Sequence, residues 1–188
     1  MAAKSHEQDM IEWRRYGHWD SSAAKARFAA FALWHLWKSG AYAEFETASG
    51  HTSGDAGMGI IEAFRRESAI ALELVVKAVI AKNMRDRNAD PADDVVPPNH
   101  DVPMLWIEAG LAPQTGDDLY RLHLVKSTLY WSGRYATPNT AKAWKKENDA
   151  FDAVEFPNGK PSGFVARPPI TFDWESFDRL YQIAHKAL

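Results

Sequence analysis

The chain contains no cysteine. Disulfides, thiolate nucleophiles and thiolate-bound metals are therefore excluded, and a cytoplasmic location is the simple expectation. No apolar run approaches the roughly 18 residues a membrane span needs. Residues Met1 to Trp19 lack the apolar stretch of a secretory leader, so no membrane partner is expected. There is no charge excess either. With 22 Lys and Arg against 25 Asp and Glu, the formal net charge is −3, which argues against a surface that coats nucleic acid generically but leaves room for a local basic patch. His6, His18, His35, His51, His100, His123 and His185 include no i,i+4 pair and no HExxH motif. No metal or other cofactor is expected from that spacing. A GxSxG elbow is missing as well. Strand signals are sparse, and no internal repeat occurs.

Apolar residues are abundant: they make up 46% of the 188, with eight tryptophans, enough for one sizeable core in one domain. The patterning predicts an all-α, up-and-down bundle of four to five main helices with short additional ones. A helical domain over 20–188 follows an extension over 1–19, in which Trp13, Tyr16 and Trp19 are candidate packing points. The first helix is expected from Asp20 or Ser21, either of which can cap it, to Gly40. Its stripe is Ala24, Phe28, Phe31 and His35, flanked by Trp34 and Trp37, which makes His35 a core residue with a hydrogen-bonded ring. The segment Ser49 to Gly59 holds Gly50, Gly54, Gly57 and Gly59 without the GxxxxGK[ST] spacing, and reads as a connector. A helix over Ile60 to Asn83 carries Ile61, Phe64, Ser68, Leu72, Val75 and Val79 on one stripe and further apolar residues on other faces. Such a helix is central and buried, most of all from Ser68 to Lys82. A short helix over Val102 to Ala109 stops at Gly110. Asp117 or Asp118 can cap the next, with Leu119, Leu122, Val125 and Leu129 on its stripe. A polar helix over Asn139 to Ala150 and a proline-rich loop over Phe151 to Ile170 follow. Asp173 then caps a last helix with Trp174, Phe177, Tyr181, Ala184 and Leu188 on one face.

Three places carry candidate chemistry. Glu73 and Lys77 stand one turn apart in the favourable order for an ion pair, on a helix where an unpaired charge is costly. They either look out through a gap between helices or form a buried network. His100-Asp101 precedes a helix. Asp101 suits a cap, and His100 suits a pH-sensitive ligand for a phosphate or a carboxylate. Arg134-Tyr135 ends a helix. The arginine suits the helix dipole or a phosphate, and the tyrosine suits packing or a nucleobase.

In their order these pieces resemble the HEPN family (higher eukaryotes and prokaryotes nucleotide-binding). The resemblance spans about Ala24 to Leu188. It rests on Gly40-Ala41-Tyr42, Ala71-Leu72-Glu73 through Lys77, His100-Asp101-Val102, the turn from Arg134 to Pro138, and the closing helix. The glycine-rich insertion and the long loop after Phe151 depart from a minimal member. The resemblance implies a non-catalytic domain that binds a nucleotide, RNA or partner protein through Arg134, Tyr135, His100, Glu73 and Lys77. It further implies a place in a toxin–antitoxin or defence pair, a nucleotidyltransferase-like or antitoxin partner, and a homodimer. Ribonuclease members carry Arg-x(4–6)-His, and Arg179-x5-His185 fits that spacing. On a helix, however, the two side chains lie about 120° apart, and Glu175 is a simple partner for Arg179 one turn earlier. A metal-independent ribonuclease using Arg179 and His185, and a structural module that docks a protein through exposed aromatics, remain as alternatives.

Overall fold

The computed structural model describes residues 16–50, 54–87, 95–112, 115–132, 140–156 and 171–188, with the backbone alone at 131, 132, 143, 147 and 155. In these residues the chain is all helical. Seven α-helices occur: α1 (Tyr16–Ser39), α2 (Tyr42–Ser49), α3 (Asp55–Asp86), α4 (Val102–Glu108), α5 (Gly116–Ser127), α6 (Ala141–Glu155) and α7 (Trp174–His185). A π-helical turn, Thr128–Ser132, continues α5. Arg134 and Tyr135 lie outside the described residues.

Helix α3 is the axis of the bundle. Its 32 residues span about 48 Å. From Ser68 to Ala81 only Ile70 and Leu74 are less than buried, as the all-round apolar pattern predicts. α3 begins at Asp55 rather than Ile60, so Gly57 and Gly59 are helical. A Cβ on Gly57 would come within 3.2 Å of the Tyr42 ring, so the glycine lets α2 lie close against α3. Gly110, at φ +77°, ends the α4 segment in the left-handed conformation that favours glycine.

Against α3 packs α1, the most extensive helix–helix contact in the fold, and here the stripe differs from expectation. The buried line is Ala23, Ala26, Ala30 and Trp34, whereas Ala24 and His35 are exposed and Phe28 is 72% exposed. The reason is packing distance. Alanines let two helix backbones approach, and side-chain size at the contact sets interaxial distance. Phe28 and Phe31 therefore face outward while Trp34 closes the buried line, and His35 sits on the surface against Phe31 at 4.2 Å between ring centroids rather than in the core. α1 also starts at Tyr16, so neither Asp20 nor Ser21 caps it. Tyr16 lies under the Arg85 guanidinium, and Trp19 meets Lys77.

Trp34 packs on Phe64 at 5.0 Å, and Phe64 meets Phe177 of α7 edge-on. Leu105 and Trp106 of α4 and Leu122 and Val125 of α5 complete one core. Two expected caps fall elsewhere. The α5 cap is Thr115, whose hydroxyl accepts from the Asp118 amide. Asp101 precedes α4 but makes no side-chain cap bond. Pro103 stands at the second helical position and has no N–H to offer, which removes one of the two amides a cap can accept from.

Asp173 does cap α7. Its Oδ1 accepts from the Ser176 amide at 2.9 Å, and Ser176 Oγ accepts from the Asp173 amide at 3.1 Å. Burial alone would raise the Asp173 pKa; the hydrogen bonds from Ser176 and Thr171 outweigh it and hold the carboxyl below its usual range. Asp173→Ala should therefore cost about 0.5–2 kcal/mol in denaturant melts, and Asp173→Asn, also a good cap, much less. Equal losses in the two variants would refute the capping role.

Candidate functional site

Glu73 and Lys77 occupy the middle of α3, where both are buried, at 7% and 4% exposure. Lys77 Nζ donates to Glu73 Oε1 at 2.5 Å. The ammonium also lies 5.6 Å from the Trp19 ring centroid, on the side of α1. The pair is thus a buried network and not a solvated gap. His100 joins it: its Nδ1 is 2.9 Å from the same Glu73 Oε1. The imidazole reaches solvent, with its side chain 44% exposed. A line of polar groups therefore runs from the centre of the bundle to the surface.

Two groups beside this line are not evident from sequence motifs. Tyr130, in the π-helical turn, meets His100 edge-on, with ring centroids 5.9 Å apart and planes at 86°. Lys126, one turn before, donates to Asp101 Oδ2 at 2.7 Å. Single π turns occur often at functional sites, and this one brings Tyr130 to the imidazole. Of the five expected binding residues, Glu73, Lys77 and His100 come together. Arg134 and Tyr135, which follow Tyr130 by four and five positions, are outside the described residues.

The two residues of the ribonuclease spacing go to different partners. Arg179 forks onto Asp118 of α5, with Nη1 to Oδ2 at 3.0 Å and Nη2 bonded to Oδ1. That hydrogen-bonded carboxylate raises the arginine's pKa. Glu175 is not its partner here. Asp118 is fully buried and also accepts from Arg121. Its burial was signalled only by register: Asp118, Leu122 and Val125 share the 4-and-3 spacing of the buried face, one position away from the stripe that starts at Leu119. His185 stacks on Tyr181, ring centroids 5.7 Å apart, and its Nε2 is 3.5 Å from Asp20 Oδ1.

His123 lies near the cluster on α5, half-buried, with its ring against Phe151. Burial, and then the charge of Lys126, push its pKa below the ordinary value, with Asp101 opposing. The sign follows from linkage. Between the depressed folded value and the unfolded value of about 6.5, the unfolded chain holds more protons. The contribution of His123 to stability is thus complete above that unfolded value and is lost as pH falls toward the folded one. Melting temperatures between about pH 7.5 and 5 should fall more for the wild type than for His123→Phe; parallel losses would refute this.

A groove of about 630 Å³ lies apart from the cluster, between α1, α2 and the start of α3, lined by Leu36, Phe45, Ala48 and Ile60 among others. Among the described residues, no group of three or more His, Asp or Glu side chains is arranged to hold a metal ion. No helix among them is long and apolar enough to cross a membrane. Comparison with known protein families, with characterised proteins and with solved structures returns no match for this chain.

Proposed function

We propose that this chain is a non-catalytic binding domain of the HEPN type, taking a nucleotide or an RNA end where His100 reaches the surface. The observation that carries this reading is the buried Glu73–Lys77 pair ending in a half-exposed imidazole on the same carboxylate oxygen. A buried ion pair is weak evidence for stability, since apolar residues of similar volume often do as well. A polar group leading from it to the surface suits recognition. The resemblance adds Arg134 as a fork for phosphate and Tyr135 as a stacking ring. It also adds a homodimer and a nucleotidyltransferase-like or antitoxin partner within a toxin–antitoxin or defence pair.

The ribonuclease alternative is less well supported, because Arg179 is forked onto Asp118 of α5 while His185 stacks on Tyr181. The protein-docking alternative has one observation in its favour, the exposure of Phe28 and Phe45 at 72% and 60%.

The test is titration of the purified protein with nucleotides and short RNAs, with Arg134→Ala and His100→Ala beside the wild type. Binding should weaken in both variants and fall with added salt as phosphate contacts are screened, while the melting temperatures stay close to wild type. No binding by the wild type, or equal affinity in all three proteins, would remove this reading. RNA cleavage abolished by His185→Ala would establish the ribonuclease instead.

A further inference from the structure

Both cations of the His100 cluster are already neutralised. Lys77 is paired with Glu73 at 2.5 Å and Lys126 with Asp101 at 2.7 Å. Lys77 is moreover buried, so the cluster's described groups offer a phosphate no free ammonium. The group that reaches solvent is the His100 ring, and its chemistry is set from within. Glu73 Oε1 accepts from Lys77, and a carboxylate acting as acceptor requires the hydrogen of His100 on Nδ1, at 2.9 Å. In the neutral ring Nε2 is then a lone pair. Nε2 lies on the ring edge away from Glu73 and makes no hydrogen bond to a described residue. The Tyr130 ring, 38% exposed, stands perpendicular to the imidazole with 5.9 Å between ring centroids. An in-plane acceptor next to an aromatic wall suits a flat, uncharged ring that presents an N–H.

We propose that His100 reads the amino hydrogen of a nucleobase through Nε2, held in that tautomer by Glu73 and Lys77, with Tyr130 as the stacking wall. This deepens the binding reading given above and rests on it. Lys77 and Glu73 are positioning residues, and His100 and Tyr130 touch the ligand. The site thereby distinguishes an adenine-like edge from the same ring without its amino group. Phosphate recognition falls to residues outside this cluster.

The experiment uses the full chain and two probes, adenosine and purine riboside, which differ only in the amino group. Nitrogen-15 NMR of the His100 ring, assigned with His100→Phe, reads the tautomer directly. The expected result is a hydrogen on Nδ1, a lone-pair signal at Nε2, and a shift of that signal on adding adenosine. Purine riboside should bind about 3- to 10-fold more weakly, the worth of one hydrogen bond. That discrimination should vanish in His100→Phe, which keeps a ring and leaves the Glu73–Lys77 pair intact. A hydrogen on Nε2 in the free protein overturns the proposal, as does equal affinity for the two nucleosides, or a His100 shift with inorganic phosphate alone. Binding of nucleotides or RNA without discrimination at His100 would refute this inference while leaving the binding domain standing. If none of these probes binds, both fall.

Discussion

Replacing Lys77 by methionine is expected to destabilise the protein by about 3–5 kcal/mol, the usual loss when one member of a buried ion pair is removed. The methionine is close in length and fills the space, so little of the loss comes from a cavity. What remains is Glu73, at 7% exposure, with its closest cation gone and only the His100 ring on its oxygen. Glu73→Leu should be costly for the mirrored reason, an ammonium stranded against Trp19. The double variant Glu73→Leu/Lys77→Met should recover most of the loss, since an apolar pair of similar volume is often neutral or better. A double-mutant cycle by denaturant melts gives the coupling directly. A single Lys77→Met variant within about 1 kcal/mol of wild type, below the range for breaking a buried pair, would show that the pair is not the closed network described.

The second large effect belongs to Leu72. It is fully buried on α3 within the core shared with α1, α4, α5 and α7. Leu72→Ala should cost about 2–5 kcal/mol, the transfer term plus the cavity left behind. Lys145, exposed on α6, should tolerate alanine within about 0.5 kcal/mol, as surface positions do. Urea midpoints of the two variants beside wild type decide the matter, and similar shifts would contradict the central place of α3.

The difference between what was legible in sequence and what was not follows from physics. The run from Ser68 to Lys82 announces a central helix because it leaves no polar face to put in water. The α7 cap was legible because Asp173 stands directly before an apolar periodic run, with Ser176 three residues on. The α1 face was not legible because a hydrophobic stripe weights large side chains, whereas a close helix pair selects small ones. Ala23, Ala26 and Ala30 carry little hydrophobic signal beside Phe28 and Phe31, which face outward. At the candidate site, Glu73 and Lys77 could be named because charge amid apolar residues is costly, and His100 because it stands with Asp101 before a helix. That they meet on one oxygen could not, because it depends on how the loop before α4 crosses α3. Tyr130 gave no signal: a π turn is a change of register in an otherwise ordinary helix.

Arg27 of α1 lies between the rings of Trp174 and Tyr181, 5.3 Å from each centroid, and donates to Asp178 of α7 at 2.7 Å. The residues of that ion pair are 151 positions apart, whereas α1 and α3 are near neighbours along the chain. Contacts close in sequence form before those that need long loops closed. We therefore expect α1 and α3 to assemble early and α7 to dock late. Mutations in an early element slow folding, and those in a late one speed unfolding. In stopped-flow folding, Leu72→Ala should depress the folding limb and Asp178→Ala should raise the unfolding limb; the reverse pattern would refute this order. On this order, the alanine face of α1 governs how fast the molecule forms, and the guanidinium held between two rings governs how long it lasts.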